Sequence, residues 1–232
     1  MTVYAVRRTA GELLITAGCF LLLFASWQLW WTDVESNAKA SESVENFLGL
    51  IEDPKTPPPP LDPNGIPVTI GKDGVFAVMY VPRFGKEWRR PIVQGTKWYP
   101  LTRGIGHYEK TVGPGKVGNF SLAGHRTTYG RPFHNIDRLQ DGDRLIIETA
   151  TTYFVYEVTS HDIVAPTAVE VVAPVPDQPG RTPTTPMITL TSCHPKFSAA
   201  QRYVVHGTLV TTAPRKGGLD GAYWAVPEGA VS

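Results

Sequence analysis

Between residues 75 and 212, short β-rich runs alternate with turn residues, and this pattern constrains the fold more than any other feature. Each run is rich in Val, Ile, Phe, Tyr or Thr and is bounded by Gly, Pro, Asn or Asp. The runs span residues 75–81, 91–95, 117–125, 145–149, 153–158, 187–193 and 202–210. Short strands at close spacing predict an all-β barrel or sandwich rather than a parallel α/β sheet.

Turn residues and prolines add detail to this all-β prediction. Runs 145–149 and 153–158 are separated by Ala150-Thr151-Thr152 alone, which predicts a β-hairpin. A short helix is expected only around residues 132–139. Prolines punctuate the pattern between runs, as strand hydrogen bonding requires: Pro82, Pro91, Pro166 and Pro186.

An apolar segment at residues 13–31 precedes this region. About 19 residues form a helix of roughly 28 Å, enough to cross a hydrocarbon core. Trp30 and Trp31 end the segment, where indole rings favour the membrane interface. Arg7 and Arg8 precede it, so the positive-inside rule predicts a cytoplasmic N-terminus and an extracytoplasmic remainder.

A cleaved signal peptide is the alternative for this segment. Its apolar region would be shorter, and a small-x-small cleavage site would follow it. The sequence instead ends the run with Gln28-Leu29-Trp30-Trp31, which suits cleavage poorly. We therefore expect an uncleaved single-pass anchor in the cell membrane.

The chain divides into five expected segments. Residues 1–12 form a cytoplasmic N-terminus and residues 13–31 the transmembrane anchor. Residues 32–74 form a Pro-rich extracytoplasmic linker, in which four consecutive prolines at 57–60 favour an extended spacer and 36–51 allow a short helix. Residues 75–212, about 140 in all, suffice for one domain with a core. A tail follows at 213–232.

Charge and spacing exclude several functions. Lys and Arg number 22 against 21 Asp and Glu, a net charge of +1, without a basic block, so no nucleic-acid partner is expected. The histidines are scattered and no paired Cys-x-x-Cys occurs. We therefore expect neither a structural metal site nor a cofactor.

Cys193 is the residue most suited to covalent chemistry. It ends a β-rich run, whereas the other cysteine, Cys19, lies in the apolar segment. Thiol catalysis needs a thiolate, a group that exchanges protons and a donor for the developing oxyanion. A free thiol has a pKa of about 8.5, so a nearby cation must favour the thiolate. His125 and Arg202 are candidates for these roles.

Their positions are compatible with one site. If runs 187–193 and 202–210 pair antiparallel, Cys193 and Arg202 face each other at one sheet edge, and Gly124 leaves room beside His125. Each residue also has an ordinary structural interpretation: a buried inert thiol, one histidine of six, a surface charge. The residues alone leave both interpretations open.

Two segments resemble a known family. Thr189-Leu190-Thr191-Ser192-Cys193 followed by Arg202 resembles the sortase signature Thr-Leu-x-Thr-Cys with a downstream Arg. Residues 118–130 resemble the segment that carries the sortase histidine. Together with Gly-Ile-Gly-His-Tyr at 104–108 and Cys-His-Pro-Lys-Phe-Ser at 193–198, they resemble class E sortases most. Ser192 departs from the signature, which usually has Thr there.

The resemblance, over about residues 75–212, implies a fold and an activity. The fold is the closed sortase β-barrel of about eight strands with short helices. The activity is that of a cysteine transpeptidase, in which Cys193 attacks the Thr carbonyl of a C-terminal Leu-Ala/Pro-x-Thr-Gly sorting signal. Arg202 holds peptide and oxyanion, and His125 exchanges protons with the leaving and entering amines.

The resemblance also implies partners. The substrates are surface proteins that bear a sorting signal, and the acceptor is a peptidoglycan precursor or a pilin lysine. Tyr129, Thr191 and Ser192 are candidate contacts to the signal. No metal and no cofactor are expected.

Two alternatives remain at this point. An L,D-transpeptidase is also an exported thiol enzyme, but it expects the histidine close before the cysteine, and Arg202 would have no role. A membrane-tethered peptide-binding domain, or degenerate sortase, would present the same groove without chemistry. The complete Cys193, His125 and Arg202 set argues against this second alternative.

Overall fold

Eight strands close into one barrel in a computed structural model that describes residues 2–68 and 74–230. The strand order around the barrel is β1-β2-β3-β4-β7-β8-β6-β5. The strands are β1 (Val75–Tyr80), β2 (Arg89–Gln94), β3 (Ile105–His107), β4 (Gly118–Ala123), β5 (Arg144–Glu148), β6 (Thr152–Val164), β7 (Pro186–His194) and β8 (Gln201–Pro214). The helices are α1 (Thr2–Glu52) and α2 (Trp98–Arg103), with 3-10 turns between strands and after β8.

Every predicted run forms a strand, and the barrel rather than the sandwich is confirmed. The predicted hairpin is confirmed as antiparallel β5 and β6. The helix expected around 132–139 is only a 3-10 turn, Ile136–Arg138. Pro91 lies inside β2 opposite Val78, and Pro186 is the first residue of β7, so the expectation that these two prolines separate strands was wrong.

The sequence patterns missed β3 and α2. β3 is three residues long and contains Gly106, which has no side chain to show a period. A Cβ at Gly106 would lie 2.4 Å from the Gly95 carbonyl oxygen, so the close approach of backbones there requires glycine. Tertiary contact, rather than local pattern, therefore creates this strand.

The barrel mixes both kinds of strand pairing. β2 pairs with β3 and β4 pairs with β7 in parallel, and the other pairs are antiparallel. Side chains from adjacent strands fill the interior, and Phe120, Leu122, Ile188 and Leu190 are all fully buried. Each contributes about 1.5–3 kcal/mol through burial. This core holds β4 and β7 in a fixed register, which matters for the site at their ends.

Helix α1 contains the apolar segment and continues well beyond it. Within the described residues one helix is long and apolar enough to cross a membrane, by length and composition. Its C-terminal part lies on the barrel, where Val44 and Phe47 are buried against Val75, Val78 and Val93. Residues up to Glu52 are thus helical and partly packed, although the segment 32–74 was expected to be mainly a linker.

The same helix contacts the loop that follows β4. Asp33 Oδ1 accepts a hydrogen bond of 3.1 Å from the Gly130 backbone N–H. Its Oδ2 lies 2.9 Å from Nε of Arg131. The loop after β4 is therefore fixed from outside the barrel as well as from within it.

The C-terminal tail docks far from Arg202. Arg202 lies near the start of β8, and the tail begins after its last residue, Pro214. Trp224 packs edge-on against Tyr80 at 5.2 Å and Tyr153 at 6.0 Å between ring centroids. The described tail thus covers the opposite end of the barrel wall.

Candidate active site

The ends of three adjacent strands bring the predicted catalytic residues together. Cys193 on β7 and Arg202 on β8 are direct partners in an antiparallel ladder. β4 runs parallel to β7 with Ala123 opposite Thr191, so the same register continued by two residues sets His125 level with Cys193. Neighbouring strands lie about 4.8 Å apart. The barrel therefore places all three residues at one end of β4, β7 and β8.

Hydrogen bonds carry the β4–β7 contact up to His125. The Gly124 N–H donates to the Thr191 carbonyl oxygen at 3.1 Å. Ser192 Oγ donates to the Gly124 carbonyl oxygen at 2.8 Å and is buried. A Cβ at Gly124 would lie 2.6 Å from the Phe133 ring, so only glycine fits without a shift. These contacts hold the backbone before His125 against β7.

The imidazole of His125 lies in a largely apolar setting. Its ring centroid is 5.0 Å from that of Tyr129, which in turn packs on Trp98. Nε2 of His125 is buried and has no hydrogen-bond partner among the described residues. Burial lowers the pKa of His125 below its ordinary value. The ring thus favours the neutral form and keeps one nitrogen available for a proton.

Tyr129 adopts a backbone conformation that favours this contact. Its φ is +51°, in the left-handed region that non-glycine residues rarely enter. The conformation folds the loop after β4 back over His125. The sequence predicted Tyr129 as a contact to the peptide, and it lies beside the histidine, where that role stays a prediction.

Thr191 and Ser192 are buried beside the half-buried Cys193. Thr191 Oγ1 donates to the Leu122 carbonyl oxygen at 3.2 Å and accepts from the hydroxyl of Tyr108 at 3.0 Å. Since the Ser192 hydroxyl is bound to Gly124, both hydroxyls link β7 to β4. Their predicted contact to substrate remains a prediction.

The guanidinium of Arg202 is held at the junction between β8 and the loop that precedes it. Nη1 donates to the carbonyl oxygens of Ala199 at 3.0 Å and Gln201 at 2.9 Å. Arg202 is half-buried and lies on the same face of the ladder as Cys193. Directly opposite side chains lie about 5 Å apart at Cβ. The side chain that bears the cation therefore begins beside the thiol.

A second arginine, Arg126, was missed by the sequence patterns. Its side chain is 2% exposed and donates from Nη1 to Nδ1 of His194 at 2.9 Å and to the Cys193 carbonyl oxygen at 3.4 Å. Nη2 lies 2.8 Å from Oδ2 of Asp137, and the guanidinium stacks 5.5 Å from the Tyr203 ring centroid. Its place directly after His125 was the sole local signal, since its partners are distant in sequence.

The fold and the site together define a class of protein. A closed eight-stranded barrel carries a cysteine opposite an arginine, with a histidine at the end of the adjacent parallel strand, and these are the fold and residue types expected above for a sortase. Residues 79–210 match the family described as "Sortase domain". The chain belongs to the sortase family, and within it the chain is similar to class E sortases.

Individual relatives support this placement. Sortase SrtE1 of Streptomyces coelicolor is 38% identical over 219 residues, which cover 91% of this chain and 59% of that protein. The structure of sortase E from Streptomyces avermitilis is 40% identical and covers 67% of this chain and 99% of that one, with a TM-score of 0.60. The crystal structure of sortase E1 from Streptomyces coelicolor with a tripeptide in the active site is 36% identical, with coverages of 66% and 99% and a TM-score of 0.59.

Proposed function

We propose that this chain is a membrane-anchored class E transpeptidase in which Cys193, His125 and Arg202 carry the reaction. The observation that carries the proposal is their convergence at one end of β4, β7 and β8. The three residues come from strands that are far apart in sequence. Because the chain belongs to the sortase family, the L,D-transpeptidase alternative is dropped. Whether the chain cleaves a signal peptide distinguishes this proposal from the degenerate-sortase alternative.

The first half-reaction is acyl transfer to the thiol. Neutral His125 takes the proton of the Cys193 thiol, and the thiolate attacks the Thr carbonyl carbon of the signal. A C–S bond forms as the carbonyl oxygen takes the negative charge. Arg202 donates hydrogen bonds to that oxyanion. When the C–N bond breaks, protonated His125 gives its proton to the departing Gly amine. A thioester on Cys193 remains.

The second half-reaction releases the thiol. An incoming amine attacks the thioester carbonyl, and His125, now neutral, accepts a proton from that nitrogen. The tetrahedral intermediate collapses, the C–S bond breaks and the Cys193 thiolate leaves. A new amide joins the substrate protein to the acceptor, and His125 returns its proton to the thiolate, so both groups are neutral for the next cycle.

The substrate proposal is a surface protein with a C-terminal Leu-Ala/Pro-x-Thr-Gly signal, cleaved between Thr and Gly. The acceptor proposal is the amine of a peptidoglycan precursor or a pilin lysine. Support comes from sortase membership and from the tripeptide in the active site of the Streptomyces coelicolor relative. Tyr129, Thr191 and Ser192 stay candidates for contacts to the signal.

The proposed orientation of the chain in the membrane is based on the N-terminal helix. Residues 1–12 lie in the cytoplasm, 13–31 cross the membrane, 32–74 connect, 75–212 form the extracytoplasmic catalytic domain and 213–232 the tail. Support comes from the single long apolar helix among described residues and from Arg7 and Arg8 before the span. Access of membrane-impermeant reagents to Cys193 in intact cells would test the orientation.

Replacement of each cysteine tests the mechanism. We expect Cys193→Ala to abolish the thioacyl adduct with a Leu-Ala-x-Thr-Gly peptide, measured as a mass increase of intact protein, while circular dichroism stays unchanged. Cys19→Ala is the matched control, and we expect it to form the adduct like wild type. Cleavage between Thr and Gly by Cys193→Ala would refute the assignment. A wild-type chain that binds signal peptides without cleaving any of them would instead support the non-catalytic alternative.

A further inference from the structure

A histidine and two aspartates meet on the barrel wall, with the histidine four positions along β8 from Arg202. The ligand atoms of Asp162, Asp177 and His206 all lie within 4.8 Å of one another. His206 is on β8 and Asp162 on β6, whereas Asp177 comes from the connection between β6 and β7. Since His206 is opposite Ser160 in the ladder, Asp162, two residues further along β6, lies on the same face.

The imidazole of His206 is aimed into this cluster. His206 is only 7% exposed, and its buried Nε2 has no hydrogen-bond partner among the described residues. Nε2 lies 3.5 Å from Oδ2 of Asp177, too far for a good hydrogen bond. Two ligands of a tetrahedral zinc ion are about 3.4 Å apart when each bond is about 2.1 Å. The observed separation therefore matches two corners of such a shell.

A buried network fixes which nitrogen of His206 faces the cluster. Thr189 Oγ1 donates to Oδ1 of Asn119 at 2.8 Å, so it accepts from Nδ1 of His206 at 2.9 Å. The Asn119 amide is itself fixed because its nitrogen donates to the carbonyl oxygens of Val171 and Ala173. The proton is thereby held on Nδ1, and Nε2 presents a lone pair. Metal-bound histidines carry this kind of supporting hydrogen bond.

We propose that Asp162, Asp177 and His206 bind a divalent cation of borderline softness, with Zn²⁺ as the representative ion. One imidazole nitrogen and two carboxylates are a zinc-type ligand set, and an all-oxygen set would suit Ca²⁺ or Mg²⁺ instead. The exposed carboxylates leave the remaining position to water. The two negative charges next to a neutral imidazole favour a cation there.

The site would join the β6–β7 connection to the barrel. Asp177 lies in that connection with φ of +59°, and its backbone N–H donates to the Glu170 carbonyl oxygen. A cation held by Asp177 and by two strands ties the connection down at one point. Residues 179–182, which follow Asp177, are exposed, and Arg181 offers a trypsin site that reports their mobility.

Zn²⁺ binding to the detergent-solubilised full chain tests the proposal. The Cys193→Ala background is used so that the thiol cannot take the metal. We expect one equivalent of Zn²⁺ by competition with a chromophoric chelator, and at least about tenfold weaker binding in Asp177→Asn and in Asp162→Asn. Asn tolerates the left-handed backbone at position 177. Thr189→Val, which removes the supporting hydrogen bond, should weaken binding about 10–100-fold.

Asp141→Asn is the matched control. Asp141 is an exposed carboxylate 3.3 Å from Nε2 of His161 and outside the cluster, so this change should leave Zn²⁺ affinity unchanged. Zn²⁺ should also slow tryptic cleavage after Arg181 in the Cys193→Ala chain but not in the Asp177→Asn version. Equal Zn²⁺ affinity in all variants, or tighter binding of Ca²⁺ than of Zn²⁺, would overturn the proposal.

Discussion

Cys193 and Arg202 are direct partners across β7 and β8, on the same face of the barrel wall. Directly opposite residues such as these have their Cβ atoms about 5 Å apart. The guanidinium is oriented by the carbonyl oxygens of Ala199 in the preceding loop and of Gln201 at the start of β8. The antiparallel β7–β8 register thus brings Cys193 and Arg202 together, and the parallel β4–β7 pair adds His125.

Arg202→Lys tests whether the planar guanidinium, rather than its charge, matters. Lysine keeps the charge but loses the fork of donors that binds an oxyanion and two carbonyls together. We expect the rate of thioacyl formation to fall about 10²–10³-fold, with little change in the free energy of unfolding because Arg202 is half-buried. Stopped-flow or quenched mass spectrometry with a signal peptide measures the rate.

Arg126→Lys is the matched comparison on the other arginine. Arg126 is buried and binds Asp137, His194 and the Cys193 carbonyl, so its loss should lower the free energy of unfolding by about 2 kcal/mol. Urea denaturation of both variants separates the two effects. A rate like that of wild type in Arg202→Lys would remove Arg202 from the mechanism.

The acid side of the pH–rate profile should report His125. Burial lowers its pKa below the ordinary value of about 6.5, so activity should fall only as the pH drops through that lowered pKa. Tyr129→Asn removes the ring that covers the imidazole, and Asn tolerates the positive φ there. Hydration of the charged form then raises the pKa, so the acid limb of kcat/KM should move to higher pH.

Tyr99→Asn provides the control for this shift. Tyr99 is an exposed tyrosine on α2, so its loss should leave the acid limb where it is. NMR titration of His125 should give a higher pKa in Tyr129→Asn than in Tyr99→Asn, in agreement with the kinetics. If the limb and the titration were identical in wild type and Tyr129→Asn, burial by Tyr129 would not be the cause of the lowered pKa.

Gly124→Ala should damage the site through packing alone. The added Cβ would lie 2.6 Å from the Phe133 ring, so the ring or the backbone before His125 must move. We expect a loss of about 1–3 kcal/mol in unfolding free energy and a fall in kcat, measured on a signal peptide. Gly217→Ala is the matched comparison outside the site, because the added Cβ would meet nothing within 4 Å. Full activity in Gly124→Ala would show that the loop adapts freely.

Truncation tests where the folded domain begins. A chain that starts at residue 33 keeps Val44 and Phe47 on the barrel, whereas one that starts at residue 75 loses them and the buried Ile66. Each lost side chain costs about 1.5–3 kcal/mol of burial. The shorter chain should therefore unfold at much lower urea concentration. Equal midpoints for the two chains would mean that α1 adds nothing to domain stability.

Local patterns in the sequence determined much of this architecture. The β-rich runs, the hairpin around Ala150 and the apolar helix follow from composition and period, because strand and span signals lie within a few residues of chain. The motif around Cys193 and Arg202 was equally local, since one tight loop joins the two strands. His125 needed the family resemblance, because spacing alone does not show which strand lies beside β7.

The tertiary structure decided what depends on contacts between distant residues. The packing of α1 on the barrel, the strand at Gly106 and the role of Arg126 all rest on partners far away in the chain. The cluster of Asp162, Asp177 and His206 is the clearest case, because scattered histidines gave no metal spacing in the sequence. Barrel closure brings such residues together, and the spacing of residues in the sequence does not show which strands become neighbours.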